Sequence, residues 1–505
     1  MTRRHALWPI LRRLVETGLL TPAALAHYTA AIVGSGVNLA TLLRFAALRS
    51  AGAVALIDDG QAVTFSDLAA QCERMAAALR DAHRLRRGDV VGVLCRNGGG
   101  LIRGVFAASR LGARVTLLNP EMASPQLLAL IEQHHMNLVI VEAGTAAAVT
   151  GAACPVLLVA DLLAASPVVH GPLGRVTGGE LVVLTGGTTG PPKAARRKPS
   201  VRNFVLLFID LVTALGLDRY PSAYLAVPLF HGYGIAAYLV ALALGRTVYL
   251  TPHFKAEAAC SLIDRERIEV AAVVPSMLQR MLAEPADLSS LKCVIAGGAA
   301  LLPQLAVETR RRLGDVLFNL YGTSEAGVAM FATPADLAVA PDTIGREIWG
   351  VHVTVRDSSD ACLPDGQSGR LCVQSRAAVA PGAWIETGDI GLRGEDGRLF
   401  VRGRIDDMIV SGGEKVNPWE VETVLLTHPD VREAAAVGVP DPDFGQRLVA
   451  FVVPRIGSKL TPEMLSDWLA ERVARYQRPR AIEFRTELPL TAVGKINKRA
   501  LVGAA

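Results

Sequence analysis

Residues 181–193 read Leu181-Val182-Val183-Leu184-Thr185-Gly186-Gly187-Thr188-Thr189-Gly190-Pro191-Pro192-Lys193. A short apolar run, of the kind that forms a buried strand, gives way at Thr185 to threonines, glycines and prolines that end in a lysine. Glycine permits torsions and close approaches that side chains forbid. Successive backbone N–H groups can therefore curl around an anion, while threonine hydroxyls add donors and Lys193 adds charge. Pro191 and Pro192 stiffen the exit. The ordinary phosphate loop ends Gly-Lys-Ser/Thr directly before a helix, so this is a phosphate cradle of another kind. A mobile surface linker is the competing reading, and it accounts poorly for Pro-Pro-Lys so soon after a buried strand.

Outward from this loop, short apolar runs alternate with helical patterns. Strands are expected at 89–94, 113–118 and 137–141, with helices at 101–111 and 124–134. Further strands are expected at 223–228, 247–250, 270–275 and 291–296. Such βα repetition implies mostly parallel sheets with helices on both faces. The stretch 357–403, rich in glycine and aspartate, alternates in short runs and predicts a small antiparallel, barrel-like unit. After Gly403 come a helix at 421–426, strands at 431–439 and 447–453, a helix at 462–473 and a strand at 481–484. The expected fold class is α/β: a large N-terminal domain over residues 1–403 and a small α+β domain over 404–505. A lysine-bearing tail, Gly494-Lys495-Ile496-Asn497-Lys498-Arg499, is expected to hang beyond the last strand.

A chain of 505 residues fits this division, since single cores rarely grow much beyond about 300 residues. The balance of 51% hydrophobic and 20% charged residues is globular. The charge-free stretches 17–43, 143–160 and 221–245 are long enough to span a bilayer, but Pro22, Asn38, Pro155 and Pro228 interrupt them, so no transmembrane segment is expected. Residues 1–50 read as helical, with a cap at Thr21 before Pro22. This leader either packs on the body or lies on a membrane surface, and Glu16 among the arginines argues against the surface. A net charge of +5 favours phosphate-bearing ligands, but no concentrated stripe marks a nucleic-acid partner. The basic clusters at 84–87, 196–198 and 310–312 read as solvated faces. Seven cysteines without a CxxC pair suggest neither zinc nor an iron–sulfur cluster and point to the cytoplasm.

Six more motifs follow the loop in order. They are Pro228-Leu229-Phe230-His231-Gly232-Tyr233-Gly234, Ala296-Gly297-Gly298-Ala299, Asn319-Leu320-Tyr321-Gly322-Thr323-Ser324-Glu325, Trp384-Ile385-Glu386-Thr387-Gly388-Asp389, Gly403-Arg404-Ile405-Asp406-Asp407 and Gly494-Lys495. On chemistry alone, His231 is either a ligand-facing group or a turn residue. Jointly and in this order, the motifs resemble the signatures of the adenylate-forming superfamily: acyl- and aryl-CoA ligases, luciferases and the adenylation domains of peptide synthetases. The resemblance covers nearly all of the chain beyond about residue 50.

That resemblance implies roles. Thr185, Gly187, Thr188, Thr189, Gly190 and Lys193 would hold the phosphates of ATP, with Thr188 and Lys193 acting in catalysis. His231 would be an aromatic flap beside the substrate carboxylate, with Gly232, Tyr233 and Gly234 lining the acyl pocket and Gly297, Gly322 and Gly327 opposite. Gly297, Gly298 and Ala299 would touch adenine, Tyr321 would stack on it, and Asn319 and Gly322 would adjoin it. Thr323 would contact the α-phosphate and Glu325 would hold Mg2+, which needs anionic oxygens shared with phosphates. Asp389 would accept from the ribose hydroxyls, and Arg404 would bind ribose or phosphate. Asp406 would be the hinge of a mobile C-terminal domain, and Gly412 and Gly413 would form the loop that admits coenzyme A. Lys495 would be the catalytic cation.

The implied reaction joins a carboxylic acid to AMP and passes the acyl group to coenzyme A. Gly186 stands where the family commonly has a hydroxyl, and Ala194 replaces the usual glycine. A lost phosphate donor is worth about 1–3 kcal/mol, so two alternatives accompany the main reading. One is a ligase that takes a preformed adenylate from a separate adenylating enzyme; the other is transfer to the pantetheine of a carrier protein. A non-catalytic nucleotide-binding protein would lack the Glu325 and Lys495 kept here, while luciferase-like oxidation shares the first step. The uncharged, glycine-lined pocket suits a hydrophobic acid, whether fatty, aryl, polyketide or terpenoid. Monomer and dimer remain equally open.

Overall fold

Strand Glu180–Thr185 pairs antiparallel with Lys193–Arg197, with Thr185 opposite Lys193. The two described segments on either side of the glycine- and threonine-rich stretch are therefore antiparallel neighbours. Residues 186–192 of that stretch, like Gly412, lie outside the described residues. The structure, a computed structural model, describes residues 15, 17–165, 171–185, 193–197, 201–411, 413–491 and 494–502. The chain divides into two compact units. One comprises Met1–Asp342, Glu347–Val351 and Gln374–Ala383, the other Thr343–Arg346, His352–Val373 and Trp384–Ala505.

The first unit holds two sheets. A six-stranded sheet runs Val156–Leu158, Leu138–Val141, Val90–Leu94, Arg114–Leu117, Glu180–Thr185, Lys193–Arg197. All its neighbours are parallel except the last pair. The other sheet contributes eight strands in the order Gly327–Ala332, Leu317–Thr323, Cys293–Gly297, Val270–Val273, Ser222–Leu225, Thr247–Leu250, Val54–Asp58, Gln61–Thr64. They are parallel within and antiparallel at the two ends. Strands such as Val90–Leu94, Leu138–Val141 and Val270–Val273 are buried at every position. A parallel strand covered on both faces needs this continuous apolar run. At the start of the described chain, Thr21 caps helix Pro22–Ser35 by accepting from the Ala24 amide, with proline at its first turn. Among the described residues no helix is long and apolar enough to cross a membrane.

The second unit carries a sheet in the order Val351–Arg356, Gly369–Ser375, Trp384–Arg393, Leu399–Arg404, Thr343–Glu347. A second sheet runs Glu414–Val416, Ile409–Ser411, Gly445–Pro454, Val431–Asp441, and Ala481–Phe484 lies parallel to Gly445–Pro454. From Ala434 and Leu448 onward the two long strands alternate. Ala434, Ala436, Leu448, Ala450 and Val452 pack with Val421, Leu425, Leu465 and Leu469 of helices Pro418–Leu426 and Pro462–Ala470. Ala435, Val437, Val449, Phe451 and Val453 pack with Leu488 and Leu501. The tail therefore does not hang free. Its helix Lys498–Val502 buries Leu501 to 2% exposure, an anchor worth about 2 kcal/mol.

Two glycines of one helix, Gly232–Leu244, differ in what they permit. A Cβ on Gly234 would sit 2.1 Å from the Pro228 carbonyl oxygen, whereas one on Gly232 meets nothing within 4 Å. Gly234→Ala should therefore destabilise the protein by about 1–3 kcal/mol. Gly232→Ala should leave it as stable as wild type, and paired thermal unfolding curves measure the difference.

Candidate active site

A hairpin of the first unit and the strand Lys193–Arg197 beside it carry several of the polar residues. In the hairpin, strands Leu317–Thr323 and Gly327–Ala332 are joined by the turn that carries Glu325, with a register shift between Tyr321 and Gly322. A bulge of this kind re-aims the side chains next to it. The turn is braced on several sides: the Ala326 amide donates to Thr323 Oγ1 at 3.0 Å, and the Val379 amide donates to the Glu325 carbonyl at 2.9 Å. Thr323 thereby uses a lone pair and keeps its hydroxyl proton for an incoming oxygen. The glycine at 322 is a backbone requirement, since a Cβ there would lie 2.3 Å from the Gly327 carbonyl oxygen.

The third brace is Arg197, on the strand Lys193–Arg197. Its Nη2 donates to the Ser324 carbonyl at 2.8 Å and its Nη1 to the Ala377 carbonyl. Burial pulls its pKa down from 12.5 while Glu325 pulls it back up. An arginine starts high enough to stay charged. The sequence reading placed Arg197 in a solvated cluster, and the structure corrects this: the guanidinium is withdrawn from water and joins its strand to the carboxylate turn. Arg196, next to it, is exposed, as alternation along a strand requires.

On the same unit, His231 precedes helix Gly232–Leu244 as its extended cap residue, and its ring lies 4.7 Å from that of Phe230. Tyr233 donates its hydroxyl to the Ile295 carbonyl at 2.8 Å. Burial pushes its phenol up in pKa, so it remains a neutral donor. Cβ atoms built on Gly297 and Gly298 would lie 3.4 and 3.8 Å from its ring. The room left by these glycines is thus faced by an aromatic wall. Asn97, absent from the motif reading, positions this segment. It is 5% exposed, accepts from the Leu229 amide at 3.0 Å, and donates to the carbonyls of Leu225 and Thr251 at 3.3 Å. Its only sequence signal is a polar residue just past a buried strand.

The second unit brings Asp389, Arg404, Asp406 and Lys495 into one electrostatic neighbourhood. Asp389 and Arg404 face each other across antiparallel strands and pair at 2.9 Å, with Asp389 nearly buried. Arg404 also lies 3.6 Å from Asp406. Gly388 adopts φ +77°, and a Cβ there would press within 2.8 Å of the Arg404 guanidinium, so only glycine serves. The pKa of Lys495 is lowered from 10.5, first by dehydration and then by Arg404, against the pull of Asp389. The residue is still exposed, and the water reaching it screens part of this. Gly413, at φ +90°, turns between strands Ile409–Ser411 and Glu414–Val416 with open space on its Cβ side. For Thr185 and Lys193 the structure describes the backbone alone.

Arg197→Leu keeps the volume but leaves the Ser324 and Ala377 carbonyls without these donors, at about 1–3 kcal/mol each. ATP-dependent pyrophosphate release should fall at least tenfold. An unchanged rate would remove Arg197 from the site.

The pattern of these motifs matches known proteins. The AMP-binding enzyme family model covers residues 43–384, and the AMP-binding enzyme C-terminal domain model covers residues 420–495. The chain is 32% identical over 478 residues to an indoleacetate–CoA ligase from Aromatoleum aromaticum, spanning 86% of this chain and 92% of that one. It resembles an amide bond synthetase from Marinactinospora thermotolerans with a TM-score of 0.80 and 29% identity, over 95% of this chain and 99% of the other. A similar likeness, TM-score 0.80 at 25% identity over 91% and 97% of the two chains, holds for the o-succinylbenzoate CoA synthetase of Bacillus subtilis, solved with its acyl-adenylate intermediate. A family match across well over half the residues, joined to relatives that align nearly end to end, leaves one assignment: this chain belongs to the AMP-binding enzymes.

Proposed function

We propose that the chain activates a hydrophobic, ring-bearing carboxylic acid with ATP and transfers the acyl group to coenzyme A. The observation that carries this reading is the tail lysine, Lys495, lying in the electrostatic field of Asp389 and Arg404. A carboxylate acylates poorly because oxide would have to leave. When a carboxylate oxygen attacks the α-phosphorus of ATP, the bond to the bridging oxygen breaks, pyrophosphate departs, and the acid becomes a mixed anhydride with AMP. Lys495 supplies positive charge where negative charge is redistributed. The sulfur of coenzyme A then attacks the acyl carbonyl, AMP leaves, and the thiol proton passes to solvent.

The metal this reading needs is one that shares its shell with phosphates. Glu325, on a turn braced through backbone atoms, suits that as a single carboxylate; Mg2+ there would neutralise phosphoryl charge. For the second step, rotation of residues 404–505 about Asp406 would withdraw Lys495 and present the turn at Gly412 and Gly413. The aromatic wall of Tyr233 supports a ring-bearing acid, and the indoleacetate and o-succinylbenzoate enzymes named above act on such acids. Seven unpaired cysteines suit a reducing compartment, and we place the reaction in the cytoplasm.

A pyrophosphate-release screen across carboxylic acids, followed by mass analysis with and without coenzyme A, tests the reading. Ring-bearing apolar acids should give acyl-AMP, and thioester when coenzyme A is added. If acyl-AMP never forms but supplied adenylate yields thioester, a partner supplies the adenylate. If thioester forms only on a carrier protein, the acceptor is pantetheine borne by protein. Lys495→Ala should abolish adenylate formation and spare thioester formation from supplied adenylate, while Gly413→Val should do the reverse.

The lowered pKa of Lys495 sets a pH signature. The cation is lost as pH rises, and a lowered pKa brings that loss to lower pH than for an ordinary lysine at 10.5. Pyrophosphate release should decline on the alkaline side at correspondingly lower pH. Lys495→Arg, which stays charged, should lack that limb, and kcat/KM profiles of the two proteins decide it.

A further inference from the structure

We propose that Lys498 is a positioning residue for adenylate formation, fixing the tail that carries Lys495 to the segment just after Asp406. The proposal rests on the reading of Lys495 given above. Lys498 Nζ lies 2.9 Å from Glu422 Oε1 and 3.2 Å from Asp407 Oδ2, and all three side chains are largely withdrawn from solvent at 28%, 14% and 31% exposure. Glu422 Oε1 also accepts from the Ala436 amide at 2.7 Å. One ammonium therefore joins the tail, the residue after Asp406, helix Pro418–Leu426 and strand Val431–Asp441.

Thr491 and Lys495 are held to each other by local contacts. The Thr491 amide donates to the Lys495 carbonyl at 2.7 Å, and the Lys495 amide donates to Thr491 Oγ1 at 3.2 Å. Leu490 and Ile496 form a bridge. These contacts shape the stretch locally, and Leu501 is apolar and sets depth without direction. The Lys498–Asp407 contact is directional and reaches the segment just after Asp406. If residues 404–505 turn about Asp406, this ion pair makes Lys495 follow the rotation without slack. Burial alone would lower the pKa of Lys498, but Glu422 and Asp407 hold it raised. The link therefore stays charged below the ordinary lysine value and is lost only as pH rises through the raised one.

Lys498→Met should slow adenylate formation about a hundredfold, the effect of a displacement near 1 Å. The loss should fall in kcat, with the KM values for ATP and acid unchanged, and thioester formation from supplied acyl-adenylate should persist. Lys498→Arg should restore adenylation to within a fewfold of wild type. Asp407→Asn, which removes one of the two carboxylates, should give a smaller loss of the same kind and covers the case in which Lys498→Met fails to fold. Equal falls in both half-reactions would show a merely structural role and overturn the proposal, as would unimpaired adenylation in Lys498→Met or, should that variant not fold, in Asp407→Asn. Lys495→Ala, assayed alongside, separates the two readings: if it adenylates normally, the role of Lys495 itself is wrong. If it is dead while Lys498→Met is normal, only the positioning role fails.

Discussion

A guanidinium drawn out of water must find oxygen, and Arg197 finds it on the carbonyls of Ser324 and Ala377. That requirement joins the strand Lys193–Arg197 to the turn carrying Glu325. Each brace on this turn ends on a carbonyl or a hydroxyl and not on the Glu325 carboxylate. These hydrogen bonds hold the turn through carbonyl and hydroxyl groups, and the Glu325 carboxylate acts on Arg197 through its charge. An arginine does this better than a lysine, because its fixed fork can serve two carbonyls at once.

Most of the fold was legible because buried parallel strands must be continuous apolar runs. The stretches at 247–250 and 481–484 are strands with those limits, and the others differ by a few residues at their ends. The strand Lys193–Arg197 was not legible. Lys-Ala-Ala-Arg-Arg has neither an apolar run nor a clear alternation, and its conformation comes from pairing with Glu180–Thr185. The same blindness turned Arg197 into a surface charge. Composition records that a residue is charged; only the tertiary neighbour decides whether water reaches it.

The candidate site divides in a similar way. Motif order singled out Glu325, Asp389, Arg404 and Lys495 individually as candidates. That Asp389 and Arg404 form an ion pair depends on the register of two strands, which no local spacing reveals. Glycines misled more subtly. Gly234 and Gly322 resemble room made for a ligand, yet each is demanded by a backbone carbonyl within 2.3 Å of where its Cβ would be. Gly297 and Gly298 lie beneath an aromatic ring. A glycine in a motif marks close approach, and what approaches can be the protein itself.

The two lysines of the tail carry the same charge in opposite surroundings. Lys498 has two carboxylates within salt-bridge distance and a raised pKa; Lys495, three residues earlier, has a lowered one, through dehydration first and Arg404 second, against the pull of Asp389. A cation already matched by carboxylates gains little from a new anion, because the anion must displace partners or share them. A cation that is poorly matched gains much from charge that develops beside it, and differential gain of this kind is what lowers a barrier. Had Asp407 and Glu422 contacted Lys495 directly, the tail would have been anchored as firmly and the charge that the proposed mechanism uses would have been neutralised. On that proposal, separating the ammonium held by two carboxylates from the one beside Asp389 and Arg404 lets a single short segment be fixed in place while its other cation stays open to developing negative charge.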